Sequence, residues 1–293
     1  MSAQLTVLVT GATGNQGNAV VDALLERGHR VRALVLEPED AGALRLAESG
    51  AEVVTGNFDD LSSLRVACDG VDSTFLMSTF YEAGPEAEIR QACNVADVAA
   101  KCGVGHLIYS SVANLAAGWQ IPYYESKSRI EHHISGLAIP WSVIGPTFFM
   151  DNLLGEHYLD GLRGGVLRMP IPRDRVVAYT SIADIGRMAA AVIERREAAF
   201  GGRYPVAGDE LDGETAAGIL SRVIGHSISY QSVPLEAFRQ VARSAGVCRM
   251  FEWISAEGFG VDVASLHREF PGVGWESFEA WARRQPWRRL LAT

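Results

Sequence analysis

Apolar runs of strand length alternate with longer stretches of mixed polarity through the first half of the chain. The short runs stand at 5–9, 31–36, 52–55, 73–77 and 106–110, and a sixth at 141–144 is closed by Gly145-Pro146. Between them, apolar residues recur at helical spacing over about 16–27, 40–48, 61–68, 86–102 and 123–135. This alternation predicts an α/β fold, a parallel sheet with helices on both faces. Right-handed crossovers then bring the carboxyl ends of the strands, and any ligand crevice, to one edge. Beyond 150 the rhythm loosens. Gly161, Gly164, Gly165, Pro170 and Pro172 mark a loop-rich stretch, and a helix opens at about 180–184 and runs to about 196. A strand at 203–207 and a helix at 212–224 lead into a helical C-terminal region, with no internal repeat or low-complexity linker.

The junction of the first strand and first helix reads Thr10-Gly11-Ala12-Thr13-Gly14-Asn15-Gln16-Gly17. Each glycine has a physical use: a tight turn at Gly11, bare backbone for a pyrophosphate at Gly14, and close helix–strand packing at Gly17. The helix start adds free N–H groups and a positive dipole end. A glycine triad alone marks only a turn, but its place between strand and helix points to a dinucleotide. The predicted architecture is therefore a Rossmann-type doubly wound parallel sheet, the dinucleotide-binding domain at 1–150. A smaller, mixed substrate lobe follows at 151–293, with elements at about 174–207 returning to the core.

Tyr123-Tyr124-Glu125-Ser126-Lys127 contains Tyr-x-x-x-Lys on the helix after the fifth strand. Positions i and i+4 share a helix face, so Tyr123 and Lys127 can point into one cleft. A nearby ammonium favours phenolate, which would bring a phenol from about 10 toward the working range for acid–base chemistry. Lys127 could also donate to a nicotinamide ribose, and Ser110 or Ser111, at the end of the fifth strand, could polarise a substrate carbonyl. The bland alternative is a helix surface that these residues merely line.

A net charge of −9 argues against a nucleic-acid or anionic-membrane surface, both of which need clustered Lys and Arg. No apolar run reaches the length of a membrane span, about 18 residues, and the first ten residues enter a strand directly, so no signal peptide is expected. Cys68, Cys93, Cys102 and Cys248 form no metal-ligand spacing and are expected as small buried hydrophobes in a reducing, cytoplasmic setting. His132-His133 cannot share a helix face and is expected as a solvated pair rather than a metal site.

The chain resembles the short-chain dehydrogenase/reductase superfamily, and within it the atypical NmrA-like branch of NAD(P)-binding redox sensors, isoflavone-reductase relatives and quinone reductases. The resemblance spans nearly the whole chain. It is carried by TGATGNQG at 10–17, GNFDD at 56–60, NVADVAAKCGVGHLIYSSV at 94–112 and YESKSRIE at 124–131. GPTFFMDN at 145–152, TSIADIGRMAAAVI at 180–193 and GFGVDVASLHREFPGVGWESFEAW at 258–281 add to it. It implies a pyrophosphate loop at 11–17, including Gly11, Thr13, Gly14, Asn15, Gln16 and Gly17. It further implies adenine contacts at Asn57 and Phe58, a cofactor ledge at Met77, Ser78 and Thr79, and the functional lysine at Lys127. The nicotinamide side falls on Pro146, Thr147 and Phe149, within the run 146–149.

Two departures from the branch matter. Many members lack the active-site tyrosine, so the presence of Tyr123 favours catalysis over sensing; relatives that work with lysine alone leave Tyr123 as a bystander. Members that bind NADP usually carry arginine after the second strand, where this chain has Leu36 and then Glu37. NAD or NADP both remain open, with a lean toward NAD, and Arg32 is a candidate should the 2′-phosphate be read. The leading expectation is an NAD(P)-dependent oxidoreductase moving hydride to or from a small apolar carbonyl, quinone or activated alkene. Phe148, Phe149, Met150 and Trp253 are candidates to line its substrate pocket, or else to pack the lobe. A non-catalytic redox sensor acting on a protein partner, and a non-redox enzyme of secondary metabolism, stand as alternatives.

Overall fold

Six parallel strands joined by helices carry the first half of the chain, and a seventh, at Arg203–Val206, joins their sheet from later in the sequence. The computed structural model describes residues 3–115, 118–242 and 244–292. In chain order the elements begin β1 (Thr6–Val9), α1 (Asn15–Glu26), β2 (Arg30–Val35), α2 (Ala41–Glu48), β3 (Glu52–Thr55) and α3 (Leu61–Cys68). They continue with β4 (Ser73–Met77), α4 (Gly84–Lys101), β5 (Leu107–Ser110), α5 (Pro122–Ser135) and β6 (Trp141–Pro146). Next come β7 (Phe148–Phe149), α6 (Glu156–Arg163), β8 (Val166–Met169), β9 (Val177–Thr180), α7 (Ile182–Arg195) and β10 (Arg203–Val206). The chain closes with β11 (Asp209–Leu211), α8 (Gly213–Ile224), β12 (Ser229–Ser232), α9 (Leu235–Arg239), α10 (Ala245–Ala256), α11 (Val263–Glu269), α12 (Phe278–Arg284) and α13 (Trp287–Leu290).

The chain forms two compact units. The first takes the residues up to Leu115, Pro122–Pro146 and Ile185–Val206; the second takes the short segment ending at Ile121, Thr147–Asp184 and the chain from Ala207 onward. The sheet of the first unit has the order β10-β6-β5-β4-β1-β2-β3, with each neighbouring pair parallel. The order reverses between β1 and β4, and that switch point is where open α/β sheets bind ligands. This is the doubly wound Rossmann-type architecture expected from the alternation of elements. On one face of the sheet, Leu8, Leu76, Leu107 and Tyr109 pack with Leu64, Val95, Ala99, Ile130 and Ile134 of α3, α4 and α5. On the other, α7 crosses α1 at Gly186, where a Cβ would stand 2.1 Å from the Ala19 carbonyl oxygen.

The second unit has a small mixed sheet, β11-β9-β7, antiparallel then parallel, and a parallel pair β12-β8. Its helices are capped from the sequence: Asp212, Ser244, Asp262 and Ser277 each accept from a first-turn backbone N–H of α8, α10, α11 and α12. Trp253, Tyr179, Phe278 and Trp281 are its largest fully buried side chains. The stretch after 150, expected to be loop-rich, instead holds α6, β8 and β9. Strands of two to four residues are too short to show a period of two, which is why the pattern missed them.

Candidate active site

Gly11 has φ +59°, the left-handed region that disfavours side chains, and a Cβ there would lie 2.5 Å from Met77 Cε. Gly17 is tighter: a Cβ would meet the Gly11 carbonyl oxygen at 2.1 Å. Gly14 differs, since its Cβ would come only to 3.3 Å of that oxygen. Gly14 is also the N-cap of α1, and no side-chain cap hydrogen bond closes this helix start. Thr13 and Asn15 are exposed and Gln16 half-buried. Beneath the loop, the Thr10 hydroxyl accepts from Met77 N at 2.9 Å, joining the carboxyl ends of β1 and β4.

Leu36, one residue past β2, is 62% exposed. Arg32 does not serve this end of the sheet. Its guanidinium is held by Glu52 at 3.1 Å and by the Ala67 and Asp69 carbonyls, at the amino end of β3. Arg45 of α2 lies closer to the glycine loop: a Cβ on Gly42 would stand 3.8 Å from its Nη2 and 3.1 Å from Thr13 Cγ2. After β3, Asn57 is exposed and its side-chain oxygen accepts from Asp59 N at 2.8 Å. Half-buried Phe58 is fixed by Asn94, which donates to its carbonyl at 2.9 Å.

At the end of β4 the geometry departs from a simple ledge. Met77 and Thr79 are half-buried, but Ser78 is buried inside a polar cluster with Lys127. The Lys127 ammonium donates to the Ser78 carbonyl at 2.9 Å and the Ser78 hydroxyl at 3.1 Å, and pairs with Glu88 Oε1 at 2.8 Å. These three acceptors match its three protons. It also sits 5.3 Å from the centroid of the Tyr109 ring. Burial lowers its pKa, with Glu88 and then Glu131 acting in the opposite direction. Glu88 was missed by sequence reasoning. Its signal was there: it precedes Ala92, Val95 and Ala99 on the buried face of α4, a carboxylate where the helix is otherwise apolar.

Tyr123 is half-buried and stacks on Phe80, ring centroids 5.0 Å apart. The expectation that Lys127 would lower its pKa is overturned. Burial raises it strongly, Tyr124 and Tyr81 add to the effect, and the lysine charge is engaged by Glu88. Of the two serines, Ser110 donates to Gln16 at 2.8 Å, at the glycine loop. Ser111 instead donates to Glu131, which also pairs with Arg203 at 3.0 Å, so its hydroxyl is committed to a structural ion pair.

Pro146 ends β6, and its carbonyl accepts from Ala113 N at 2.9 Å. Thr147 and Phe149 belong to the second unit, where the Thr147 hydroxyl bonds with that of Thr180 at 2.7 Å. Of the candidate pocket residues, Phe148 packs edge-on to Tyr179, and Met150 and Trp253 are fully buried. They pack the lobe, and Phe149 alone of the four is half-buried. Two cysteines also depart from expectation: Cys102 is exposed and Cys93 half-buried. His133 pairs with Asp97 at 2.7 Å, while His132 is exposed.

A loop with no room for side chains at Gly11 and Gly17, an uncapped helix start and a buried lysine therefore occur in one α/β unit. The model of the NmrA-like family matches residues 3–281. The chain belongs to the NmrA-like family. A (4-alkanoyl-5-oxo-2,5-dihydrofuran-3-yl)methyl phosphate reductase from Streptomyces griseus is 30% identical over 235 residues, 80% of this chain and 79% of that protein. The triphenylmethane reductase of Citrobacter sp., solved with NADP(H), superposes with a TM-score of 0.81 at 22% identity, covering 95% of this chain and 99% of the other. NmrA, a negative transcriptional regulator solved with NADP, gives a TM-score of 0.78 at 20% identity, covering 97% and 99%. These two structural likenesses show the fold that this NmrA-like chain shares with a reductase and with a regulator.

Proposed function

We propose that this NmrA-like protein is an NAD(P)H-dependent reductase of small apolar carbonyls, quinones or activated alkenes. The observation that carries the reading is Lys127, a buried lysine whose ammonium is held at the end of β4 beside the switch point of the sheet. A family member active as a reductase at 30% identity supports it. A dinucleotide is supported by the loop that Gly11 and Gly17 allow to pack tightly, by the more open Gly14, where a Cβ would meet only the Gly11 carbonyl oxygen at 3.3 Å and Met77 Cε at 4.0 Å, and by an α1 start without a side-chain cap. In this reading Gly11, Thr13, Gly14, Asn15, Gln16 and Gly17 hold the pyrophosphate. Leu36, Asn57 and Phe58 serve the adenosine end, and Met77, Ser78, Thr79, Pro146, Thr147 and Phe149 the nicotinamide end. When bound, the nicotinamide supplies a hydride.

Lys127 is the proton donor to the acceptor oxygen or carbon. Burial favours release of its proton, whereas burial holds the Tyr123 phenol protonated. Tyr123 then contributes a hydrogen bond, and Ser110, anchored on Gln16, helps orient the acceptor. Ligand entry replaces the Ser78 hydroxyl, the longest of the lysine's three contacts at 3.1 Å. NADH is accepted at least as well as NADPH, because Leu36 and Glu37 offer no positive charge to a 2′-phosphate. The test is oxidation of NADH and NADPH against a panel of quinones and carbonyls, followed by cofactor absorbance. Likeness to the NmrA regulator supports a second reading, a redox sensor with a protein partner. Tight NAD(P) binding with no turnover across the panel would favour that sensor.

A further inference from the structure

Lys127 is built around a residue that neither the glycine loop nor the Tyr-x-x-x-Lys motif includes. The Glu88 side chain is 0% exposed. Its Oε1 takes Lys127 Nζ at 2.8 Å and the Ser78 hydroxyl at 3.1 Å, and its Oε2 accepts from the Ser126 hydroxyl at 2.5 Å. One carboxylate thus ties α4 to the end of β4 and to α5. A buried charge persists only when paired and hydrogen-bonded, and every contact of Glu88 converges on the lysine or its neighbours.

We propose that Glu88 is the positioning residue of the Lys127 site, holding Nζ against the Ser78 carbonyl, keeping it charged, and restoring its proton after each turnover. The last step rests on the reading of Lys127 as proton donor. When Nζ gives its proton to the acceptor, an N–H bond breaks and an O–H or C–H bond forms. The lysine is left as a neutral amine beside a buried anion. The uncompensated Glu88 charge then draws a solvent proton back to Nζ. The groups facing the lysine are Glu88 from α4, Glu131 from its own helix, the Ser78 carbonyl and hydroxyl after β4, and the Tyr109 ring from β5. Tyr109 brings no charge, because its complete burial keeps the phenol protonated.

The chain offers a direct test, since its only lysines are Lys101 and Lys127. Selective ¹³C labelling of lysine side chains gives two titrating signals, assigned with a Lys101→Arg variant. Glu88→Gln is expected to lower the Lys127 midpoint by about one pH unit or more, the effect of losing an adjacent opposite charge, while Lys101 stays in place. The basic limb of kcat for NADH-dependent reduction of a soluble naphthoquinone should move down by the same amount, with KM for NADH changed less than about threefold. A folded Glu88→Gln protein with an unmoved Lys127 midpoint overturns the proposal, whatever its thermal stability. A midpoint that moves while kcat shows no matching limb upholds the charge-holding role and overturns both the proton return and the reading of Lys127 as donor. Should Glu88→Gln not fold, the wild type decides. At neutral pH Lys127 should give a slowly exchanging ammonium, and a neutral amine or exchange as fast as that of Lys101 overturns the proposal.

Discussion

Lys127 and Tyr123 stand one helical turn apart, yet their surroundings separate them. The lysine is paired and hydrogen-bonded on all sides, whereas the phenol is pressed against Phe80 with its proton held by burial. The two are therefore expected to fail differently when removed. Lys127→Ala should cost about 10²–10⁴ in turnover, the range of a positioned acid–base group, and should weaken NADH binding as well. Tyr123→Phe should cost less than about tenfold and leave NADH affinity unchanged. Steady-state kinetics with cofactor titration check this pair of variants; equal losses in both would restore the phenol as the proton donor. At the adenosine end, Leu36→Arg should shift preference toward NADPH by about 1–3 kcal/mol, a charged hydrogen bond's worth. Competitive binding of the two cofactors decides this, and an unchanged preference in Leu36→Arg would place the adenosine end away from the end of β2.

At the scale of elements, α1 shows two kinds of glycine that look alike in sequence. Gly17→Ala would drive a methyl into the Gly11 carbonyl at 2.1 Å, so helix and strand must part. The expected loss is about 1–3 kcal/mol of stability, as for other overpacked contacts, together with weaker cofactor binding. Gly14→Val would bring a Cβ to 3.3 Å of the same oxygen, a contact that a small shift relieves, so it should fold, yet lose dinucleotide binding if its side chain takes the space proposed for the pyrophosphate. Chemical denaturation and cofactor titration separate the two; a folded Gly14→Val protein with wild-type affinity would move the ligand elsewhere. The strands, the helices and this loop were legible in sequence because each is local, resting on a period or on spaced glycines. Glu88 and Gly186 were not, because their roles are set by what arrives from another element: Lys127 of α5 in one case, the Ala19 carbonyl in the other. Ser111 was misassigned for the same reason, as nothing near it in sequence announces Glu131 twenty positions on. The short strands of the second unit were lost to brevity rather than distance.

At the scale of the whole molecule, acid stability is expected to depend on His106, fully buried just before β5. The Ser142 hydroxyl spends its proton on the Ala199 carbonyl at 2.6 Å, so it must accept from His106 Nε2 at 2.8 Å. The proton of the neutral ring is thereby placed on Nε2, leaving Nδ1 buried without a hydrogen-bond partner among the described residues. Protonating Nδ1 would create a cation with no acceptor, near Arg196. Burial first, and that arginine second, push the pKa down from 6.5 to about 4. The folded value lies below the unfolded one, so the sign is that of a histidine kept neutral. Above 6.5 neither state binds the proton, and His106 adds no slope. Between 6.5 and about 4 the unfolded chain takes a proton that the folded chain refuses, so stability falls with pH by about 1.4 kcal/mol per unit. His106→Gln keeps a donor for Ser142 and removes the titration. It should be less stable than wild type at neutral pH, having lost the contact with the Phe200 ring at 4.7 Å, but its decline on acidification should be shallower by one proton. Urea unfolding of both proteins across this window reads the difference directly. Parallel declines would mean that His106 titrates normally and that other groups carry the acid sensitivity of the fold.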